Sequence, residues 1–592
     1  MDDKILDWVS LAEKFSADGD PLLMRTAARE IFELDRNSVE GLAIMAEFSL
    51  YSGNVDEAES FLQPALSTDP NHLRGRLVKG GIAVKQLRLK DQLKIFDDII
   101  SDAHNSLKSL NSELDNLNRQ AAKKSDKISP IDDKKRIEKK IFITQSILFK
   151  ALCWYSNGLY LGGDPAKSAS SLLEASTLTE NTEQAAELYS KYLFMRNYRD
   201  VQSLQTKTIA EKYNDFFAEV VPFYHSPINF DGERKIRVGY ISPDFREHAI
   251  INFITPFLKD YDSKKFAVTC YSTGKKDFVT DRLKNFKVGW RNLVGKEPIE
   301  AAKIINADHL DILVDLSGHS QDNCLPILAY KPAPIQICAL GYTATTGLEA
   351  VDYFLSDKVC SPENIPDCFT EKILRLETSC FCYVPGLIRE IPKVGLNAPF
   401  TKNNFVTFGS FNNFAKVNDD MLYIWRAILD GVPDSHLILK GKIFSLEDGR
   451  EIAKRRLKMF SLPLDRVEFR PYSPDYLEQY RDIDIALDTF PYTGGTTTCE
   501  ALYMGVPVIT QRGKVHASRI SASILTAADC EELIATGSMD YIRKAIALAR
   551  RKDLISAYHA GLREHLQKSA LMNGEMFMRN LEKLYHDIII NT

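Results

Sequence analysis

Leu487-Asp488-Thr489-Phe490-Pro491-Tyr492-Thr493-Gly494-Gly495-Thr496-Thr497-Thr498-Cys499-Glu500 sets the end of an apolar run, a glycine turn and the start of a helix in direct succession. Residues 483–487 have the length and composition of a buried parallel strand. A helix start exposes unpaired N–H groups and partial positive charge, both of which attract phosphate. Gly494 and Gly495 permit close backbone approach, and the threonines add hydroxyl donors. The same residues also read as a plain threonine-capped helix. No Gly-Lys-Ser/Thr follows, so this is not a Walker loop.

Similar runs recur outward from this stretch. Residues 236–241, 266–271, 310–316 and 335–340, then 405–408, 437–439 and 506–510, are short, apolar and bounded by turn residues. Helical segments lie between them, and one carries Leu422, Trp425, Ile428 and Leu429 on a single face. The alternation predicts two doubly wound, Rossmann-like α/β units, which bind ligands at the carboxyl ends of their strands. A linker at 222–232 precedes the first unit, and a polar segment at 391–404 separates the two.

Residues 1–212 read as helix almost throughout. Asp35-Arg36-Asn37-Ser38-Val39-Glu40-Gly41 returns as Asp69-Pro70-Asn71-His72-Leu73-Arg74-Gly75, an offset of 34 residues, which is the tetratricopeptide period. Ala58, Ala65 and Pro70 fall where that repeat wants small residues and a helix breaker. A less regular unit begins at Asp164-Pro165, with Ala169 and Leu173 in analogous places. Residues 101–140, including Lys123-Lys124-Ser125-Asp126-Lys127 and Asp132-Asp133-Lys134-Lys135-Arg136, interleave both signs of charge. They read as a solvated helix pair with a loop at Ser129-Pro130 rather than as a basic docking patch. The domain expectation is therefore 1–212 all-α and tetratricopeptide-like, 213–395 a first Rossmann-like lobe, and 396–592 a second.

Composition narrows the class. The 592 residues are 44% hydrophobic and 26% charged, and 75 basic against 80 acidic side chains give a net charge of −5. That balance offers no global attraction to nucleic acid or an anionic membrane. The sequence holds no run of about 18 apolar residues, and its acidic start lacks a secretory pattern, so a cytoplasmic protein is expected. Ten cysteines are too few for a disulfide scaffold. Cys380 and Cys382 have no obvious Cys/His partner pair, so reduced thiols and no metal site are expected.

Other loops after predicted strands carry chemistry. Phe408-Gly409-Ser410-Phe411-Asn412-Asn413-Phe414-Ala415-Lys416 offers a lysine that could hold a fixed cation against a diphosphate leaving group, or simply face solvent. Gly513-Lys514-Val515-His516-Ala517-Ser518-Arg519 adds basic groups beside a helix start. Ser242-Pro243-Asp244-Phe245-Arg246-Glu247-His248 and Leu316-Ser317-Gly318-His319 each present a histidine that could act on substrate or sit partly buried. Residues 335–340 lead into Gly341-Tyr342-Thr343-Ala344-Thr345-Thr346-Gly347.

Taken in order, these loops resemble the O-linked N-acetylglucosamine transferase and SPINDLY family, tetratricopeptide glycosyltransferases of family 41. The resemblance runs over about residues 234–590. It rests on Val238-Gly239-Tyr240-Ile241-Ser242-Pro243-Asp244-Phe245 with His248, on Pro332-Ala333-Pro334-Ile335-Gln336, on 405–413, on 487–500, and on Met504-Gly505-Val506-Pro507. It implies a GT-B fold, with two facing Rossmann-like domains behind an all-α tetratricopeptide-like region. It further implies an inverting, metal-independent transfer from a nucleotide sugar to Ser or Thr of a protein acceptor, recruited partly by the helical region.

By that resemblance Lys416 neutralises the diphosphate, and Thr496 and Thr497 hydrogen-bond the phosphates within the loop of Gly494 and Gly495. Glu500 takes the ribose hydroxyls, and Asn412 and His516 belong to the nucleotide site. His248 lies at the sugar and acceptor, and Gly341 and Tyr342 line the sugar. The sequence departs from the animal enzymes at Ala415, Gly495, Tyr492 and Thr343, where they carry tyrosine, histidine, cysteine and proline. Plant SPINDLY proteins match better through 494–500 and at His516. UDP-GlcNAc, UDP-glucose and GDP-fucose all remain open as donors, with no other cofactor expected. Asparagine-directed transfer and a non-catalytic repeat scaffold are the alternatives. An epimerase would need an early Gly-x-Gly-x-x-Gly loop, which this sequence lacks.

Overall fold

The 34-residue offset is visible atom by atom in the computed structural model. Asp35 and Asp69 close their helices with backbone N–H bonds to the Ile31 and Ala65 carbonyls (2.8 and 2.9 Å). Each then turns the chain by accepting from the N–H two residues on, Asn37 and Asn71, both at 3.0 Å. Ser38 and His72 cap the helices that follow by accepting from Gly41 N–H and Gly75 N–H. A Cβ on Gly41 would stand 2.7 Å from the Phe32 ring, and one on Gly75 2.9 Å from Leu66, so a larger residue at either position would have to displace a side chain of the preceding helix.

The structure describes residues 2–17, 20–123, 130–198, 204–228, 230, 232–365, 368–395 and 397–590. Lys124, Ser125, Asp126, Lys127 and Ser129 of the polar stretch lie outside these residues. The chain divides into two units, Met1–Tyr192 with Leu446–Gly449, and Leu193–Ser445 with Arg450–Thr592. In the first, helices pair as Val39–Tyr51 with Val55–Thr68, Leu73–Lys85 with Leu89–Lys123, and Pro130–Leu161 with Pro165–Ser176. Ala58, Ala65 and Ala169 are buried between helices as the repeat requires, whereas Leu173 is half-buried. The polar stretch falls in the two longest helices, and residues 101–120 are mostly exposed. Charge is nonetheless buried at the heart of this unit. Arg74 bonds Glu47 (2.6 Å) and Glu13, while Lys150 reaches Glu13 (2.9 Å) and Glu47 (2.6 Å).

The second unit contains two sheets whose recorded pairings are all parallel. The first comprises β1 (Ile236–Ser242), β2 (Phe266–Ser272), β3 (Gly289–Asn292), β4 (Ile312–Asp315), β5 (Ile335–Cys338), β6 (Tyr353–Asp357) and β7 (Lys372–Leu376), in the order β3-β2-β1-β4-β5-β6-β7. The second comprises β8 (Thr407–Ser410), β9 (His436–Lys440), β10 (Val467–Arg470), β11 (Ile485–Leu487), β12 (Val508–Gln511) and β13 (Ile534–Ala535), in the order β10-β9-β8-β11-β12-β13. Each sheet is doubly wound, and its strand order reverses direction once, between β1 and β4 and between β8 and β11. Those switch points open crevices at the carboxyl ends of the strands.

Helix Asp419–Gly431 shows why sequence dictates element here. Asn418 caps it by accepting from Met421 N–H, and Asp419 and Asp420 complement the positive end of its dipole. Met421, Leu422, Trp425, Ile428 and Leu429 form the buried stripe. The final helix, Gly574–Ile590, returns to the first sheet's side. There Phe577 packs on Phe257 (ring centroids 5.3 Å apart), and Glu582 accepts from Asp262 N–H at 2.6 Å.

Candidate active site

Lys416 and the threonines leave the sheet from adjacent strands. The loop after β8 carries Asn412 and Lys416, and the loop after β11 carries 488–498, so the two flank the crevice between β8 and β11. Asp488, at the end of β11 and 1% exposed, ties them together. One carboxylate oxygen accepts from Gly494 N–H (2.8 Å) and from the Asn412 amide (3.2 Å); the other accepts from the Thr510 hydroxyl (2.7 Å). Asn412 in turn accepts from the Thr497 hydroxyl at 3.1 Å. A Cβ on Gly494 would lie 2.5 Å from Thr498 Oγ1 and 2.7 Å from Thr497 Oγ1, so no larger residue fits without moving the threonines.

Helix Thr496–Tyr503 begins at Gly495, and no side chain caps it. The threonine-capped alternative is thus not what the chain adopts. Gly495, Thr496 and Thr497 are half-buried, and the first N–H groups of a helix have no intrahelical partner.

Lys416 does not project into bulk water. Its Nζ donates to the Thr493 carbonyl at 2.8 Å and lies 4.0 Å from the centroid of the Tyr492 ring. Burial draws its pKa down to about 8, against the pull of Asp488. Glu500, one turn along the threonine helix, is 5% exposed and accepts from the Tyr476 hydroxyl. Burial raises its pKa to about 7, opposed by Tyr476 and Arg389.

The first sheet contributes its own switch-point loops. His248, after β1, is exposed, with Nδ1 3.7 Å from an Asp244 carboxylate oxygen. Desolvation of the ring, with help from Arg246 and Lys442, sets its pKa below the ordinary value against Asp244. His319, after β4, is instead a core residue; its Nε2 pairs with the Thr346 carbonyl at 2.7 Å and its ring abuts Tyr342. Tyr342 is 3% exposed, its hydroxyl directed at the Leu193 carbonyl (3.4 Å), and Gly341 stands beside the Leu316 carbonyl. His516 is 4% exposed, with its ring edge-on to Phe354 and Phe369. None of its recorded contacts among the described residues is to Lys416, Asn412 or the threonines.

Sequence reasoning overlooked Asp488, whose signal was its place at a strand end, and two aromatic residues. Phe194, in helix Thr182–Arg196, stacks on Tyr342. Tyr198 meets Tyr492 edge-on with ring centroids 5.2 Å apart, directly behind the Lys416 ammonium. Only the fold could bring that stretch to the loop after β11.

Comparisons with known proteins identify the family and the fold. The model of the family described as Glycosyl transferase family 41 matches residues 200–384 and 399–581. The chain is 37% identical over 392 residues to the "Probable UDP-N-acetylglucosamine--peptide N-acetylglucosaminyltransferase SPINDLY" of Solanum lycopersicum, covering 64% of this chain and 42% of that protein. It is 26% identical over 384 residues to the protein of Arabidopsis thaliana with the same activity in its name and the designation SEC, covering 62% of this chain and 38% of that one. The matched region thus spans less than half the length of either relative. Among solved structures, a Lys-to-Met mutant of the Thermobaculum terrenum O-GlcNAc transferase superposes with a TM-score of 0.68 at 24% identity, covering 99% of this chain and 98% of that one. That likeness shows the fold: an N-terminal helical region followed by a GT-B pair of α/β lobes.

Proposed function

The chain belongs to glycosyltransferase family 41, and from that premise we propose that it transfers a sugar from a nucleotide sugar to Ser or Thr side chains of a protein acceptor, in the cytoplasm. One observation carries the reading: Lys416 and the uncapped start of helix Thr496–Tyr503 share a single hydrogen-bonded loop system at a switch point. Departure of a nucleoside diphosphate from an anomeric carbon builds negative charge on the leaving oxygens. A fixed ammonium and preorganised N–H and hydroxyl donors stabilise that charge in the transition state more than in the ground state. Lys416 supplies the cation, Thr496 and Thr497 the hydroxyls, and Gly495, where a Cβ would meet nothing nearer than Ile520 at 3.8 Å, the room for approach, while Gly494 makes space for the threonines themselves. Asn412 holds the two loops in register, and Glu500 is placed to accept from the ribose.

On this reading the protein needs no divalent metal at the diphosphate, because Lys416 stands where one would act. His248, beside Asp244, is the candidate to orient or deprotonate the acceptor hydroxyl, and Gly341 and Tyr342 form the wall behind the sugar. Direct in-line attack by the acceptor gives inversion at the anomeric carbon. The domain assignment that goes with it is 1–212 for acceptor recruitment, 213–395 for the acceptor-side lobe and 396–592 for the nucleotide-sugar lobe. UDP-GlcNAc is the donor named for the relatives; UDP-glucose and GDP-fucose suit the same diphosphate contacts. Incubation with a Ser/Thr-rich acceptor and these three donors, without added divalent ions and read by mass spectrometry, should give a sugar adduct on Ser or Thr from one of them. Failure of all three to transfer or to bind contradicts the proposal.

A further inference from the structure

Cys360 and Cys380 stand in the turns after β6 and β7 of the first sheet, and His516 in the loop after β12 of the second. The two Sγ atoms and a ring nitrogen all lie within 4.8 Å of one another. The residues are 2%, 3% and 4% exposed. Neither nitrogen of the His516 ring makes a well-formed hydrogen bond, although the Thr343 backbone stands close to the ring. An unsatisfied buried polar group is destabilising, and a bound ligand is one way to relieve it.

We propose that Cys360, Cys380 and His516 bind a structural zinc ion that joins the two α/β lobes. Two thiolates and a neutral imidazole are soft and borderline donors, suited to zinc and not to magnesium or calcium. On binding, each thiol loses its proton to solvent and forms one Zn–S bond, with no change of oxidation state. Two thiolates cancel the charge of Zn²⁺, so the buried site is neutral, whereas a monovalent ion would leave a net negative charge there. Bond lengths of about 2.3 Å to sulfur and about 2.0 Å to nitrogen ask the three side chains to close inward by roughly an ångström. A water molecule would complete four-coordination.

Asp357, at the end of β6, holds the ligands ready. Its Oδ1 accepts from Cys360 N–H (2.6 Å) and Val359 N–H (2.8 Å), and its Oδ2 from Cys380 N–H (2.8 Å). Oδ2 also accepts from the Ser523 hydroxyl, in helix Ile520–Ala527 of the other lobe, at 2.7 Å. The carboxylate is therefore engaged in orienting both cysteine turns, the task outer-shell groups perform at metal sites. A Cys360–Cys380 disulfide would use the same sulfurs but leave the His516 ring unsatisfied.

The full chain, grown with zinc and purified without chelator, should carry about one zinc per chain by mass spectrometry of metals. Cys360→Ser and His516→Ala should each reduce that content about tenfold, while Cys153→Ser, in the helical unit, should keep it. Because either variant could misfold, wild-type protein stripped of metal is also titrated with Co²⁺. A thiolate-to-cobalt charge-transfer band saturating at one equivalent is expected. The proposal is overturned by wild-type protein that holds no zinc and gives no such band, by Cys360→Ser protein with undiminished zinc, or by peptide mapping that finds Cys360 and Cys380 joined as a disulfide.

Discussion

At the residue scale the account turns on two buried ionisable groups with opposed requirements. On the proposed function Glu500 accepts from a ribose hydroxyl most strongly as the carboxylate, and its pKa near 7 places that transition at neutral pH. Lys416 must be protonated to face a diphosphate, and its pKa near 8 removes the charge above that value. The affinity for a nucleoside diphosphate should therefore peak between the two, and kcat/KM, which reports the free enzyme, should follow the same bell. In Glu500→Gln the acid limb should disappear, and in Lys416→Arg, always charged, the alkaline limb should move out of range; limbs unchanged in both variants would assign the titration to other groups. Thr497→Val removes a hydroxyl while keeping the shape. It should weaken nucleotide binding by roughly ten- to a hundredfold, the effect of losing one hydrogen bond to a charged group worth about 1.5–3 kcal/mol. Lys416, Thr497 and Gly494 stand out in the sequence because a glycine turn precedes a helix and a lysine follows a strand, although each also had a plainer reading there and their roles came from the family resemblance. Asp488 does not stand out, since its role depends on Asn412 and Thr510 arriving from other strands. The cluster of Cys360, Cys380 and His516 was hidden for the same reason: three positions widely spaced in the chain meet only across two sheets.

At the scale of the element, the strands read correctly from sequence are those in the middle of each sheet. The runs at 236–241, 266–271, 310–316 and 335–340 appear as β1, β2, β4 and β5, and those at 405–408, 437–439, 483–487 and 506–510 as β8, β9, β11 and β12. Four of the five strands that went unread, β3, β7, β10 and β13, form the sheet edges. An edge strand has one neighbour and a solvated flank, so Lys372-Ile373-Leu374-Arg375-Leu376 mixes charge with apolar residues and loses the continuous hydrophobic run of a central parallel strand. The fifth, β6, is buried, but only Tyr353, Phe354 and Leu355 are apolar before the chain turns polar at Ser356. Helix Asp419–Gly431 was legible because its stripe and its cap agree. Asn418→Ala should lower stability by about 1 kcal/mol through the lost cap, and by more if release of the Phe490 carbonyl, held at 2.8 Å by the Asn418 amide, loosens the nucleotide loop. Thermal melts with and without nucleotide separate the two effects. An unchanged Tm would show that the cap is idle.

For the molecule as a whole, two architectures meet in one chain, and each is stabilised in its own way. In the helical unit a fully buried charge cluster replaces part of the apolar core. Burial pushes the Glu13 carboxyl up, but Arg74 and Lys150 more than reverse this and bring it to about 2. Its stabilising contribution is present above the ordinary carboxylate range and is lost as pH falls from about 4.5 towards 2. Arg74→Ala should therefore cost about 3–5 kcal/mol by stranding Glu13 and Glu47, seen as a large fall in Tm. A fall within error would mean that water or Lys150 compensates. Among the described residues no helix is long and apolar enough to cross a membrane. In the second unit the doubly wound topology places two switch-point crevices, and the loops carrying Lys416 and Gly494–Thr498 flank the one between β8 and β11. Whether that crevice holds the pyrophosphate of an activated sugar is settled most directly by calorimetric titration of UDP and GDP into the wild-type chain and into Lys416→Ala. The account predicts that one nucleotide binds the wild type with a single-site isotherm and binds the variant at least tenfold more weakly. Equal affinity in the two proteins, or no binding of either nucleotide to the wild type, would contradict it.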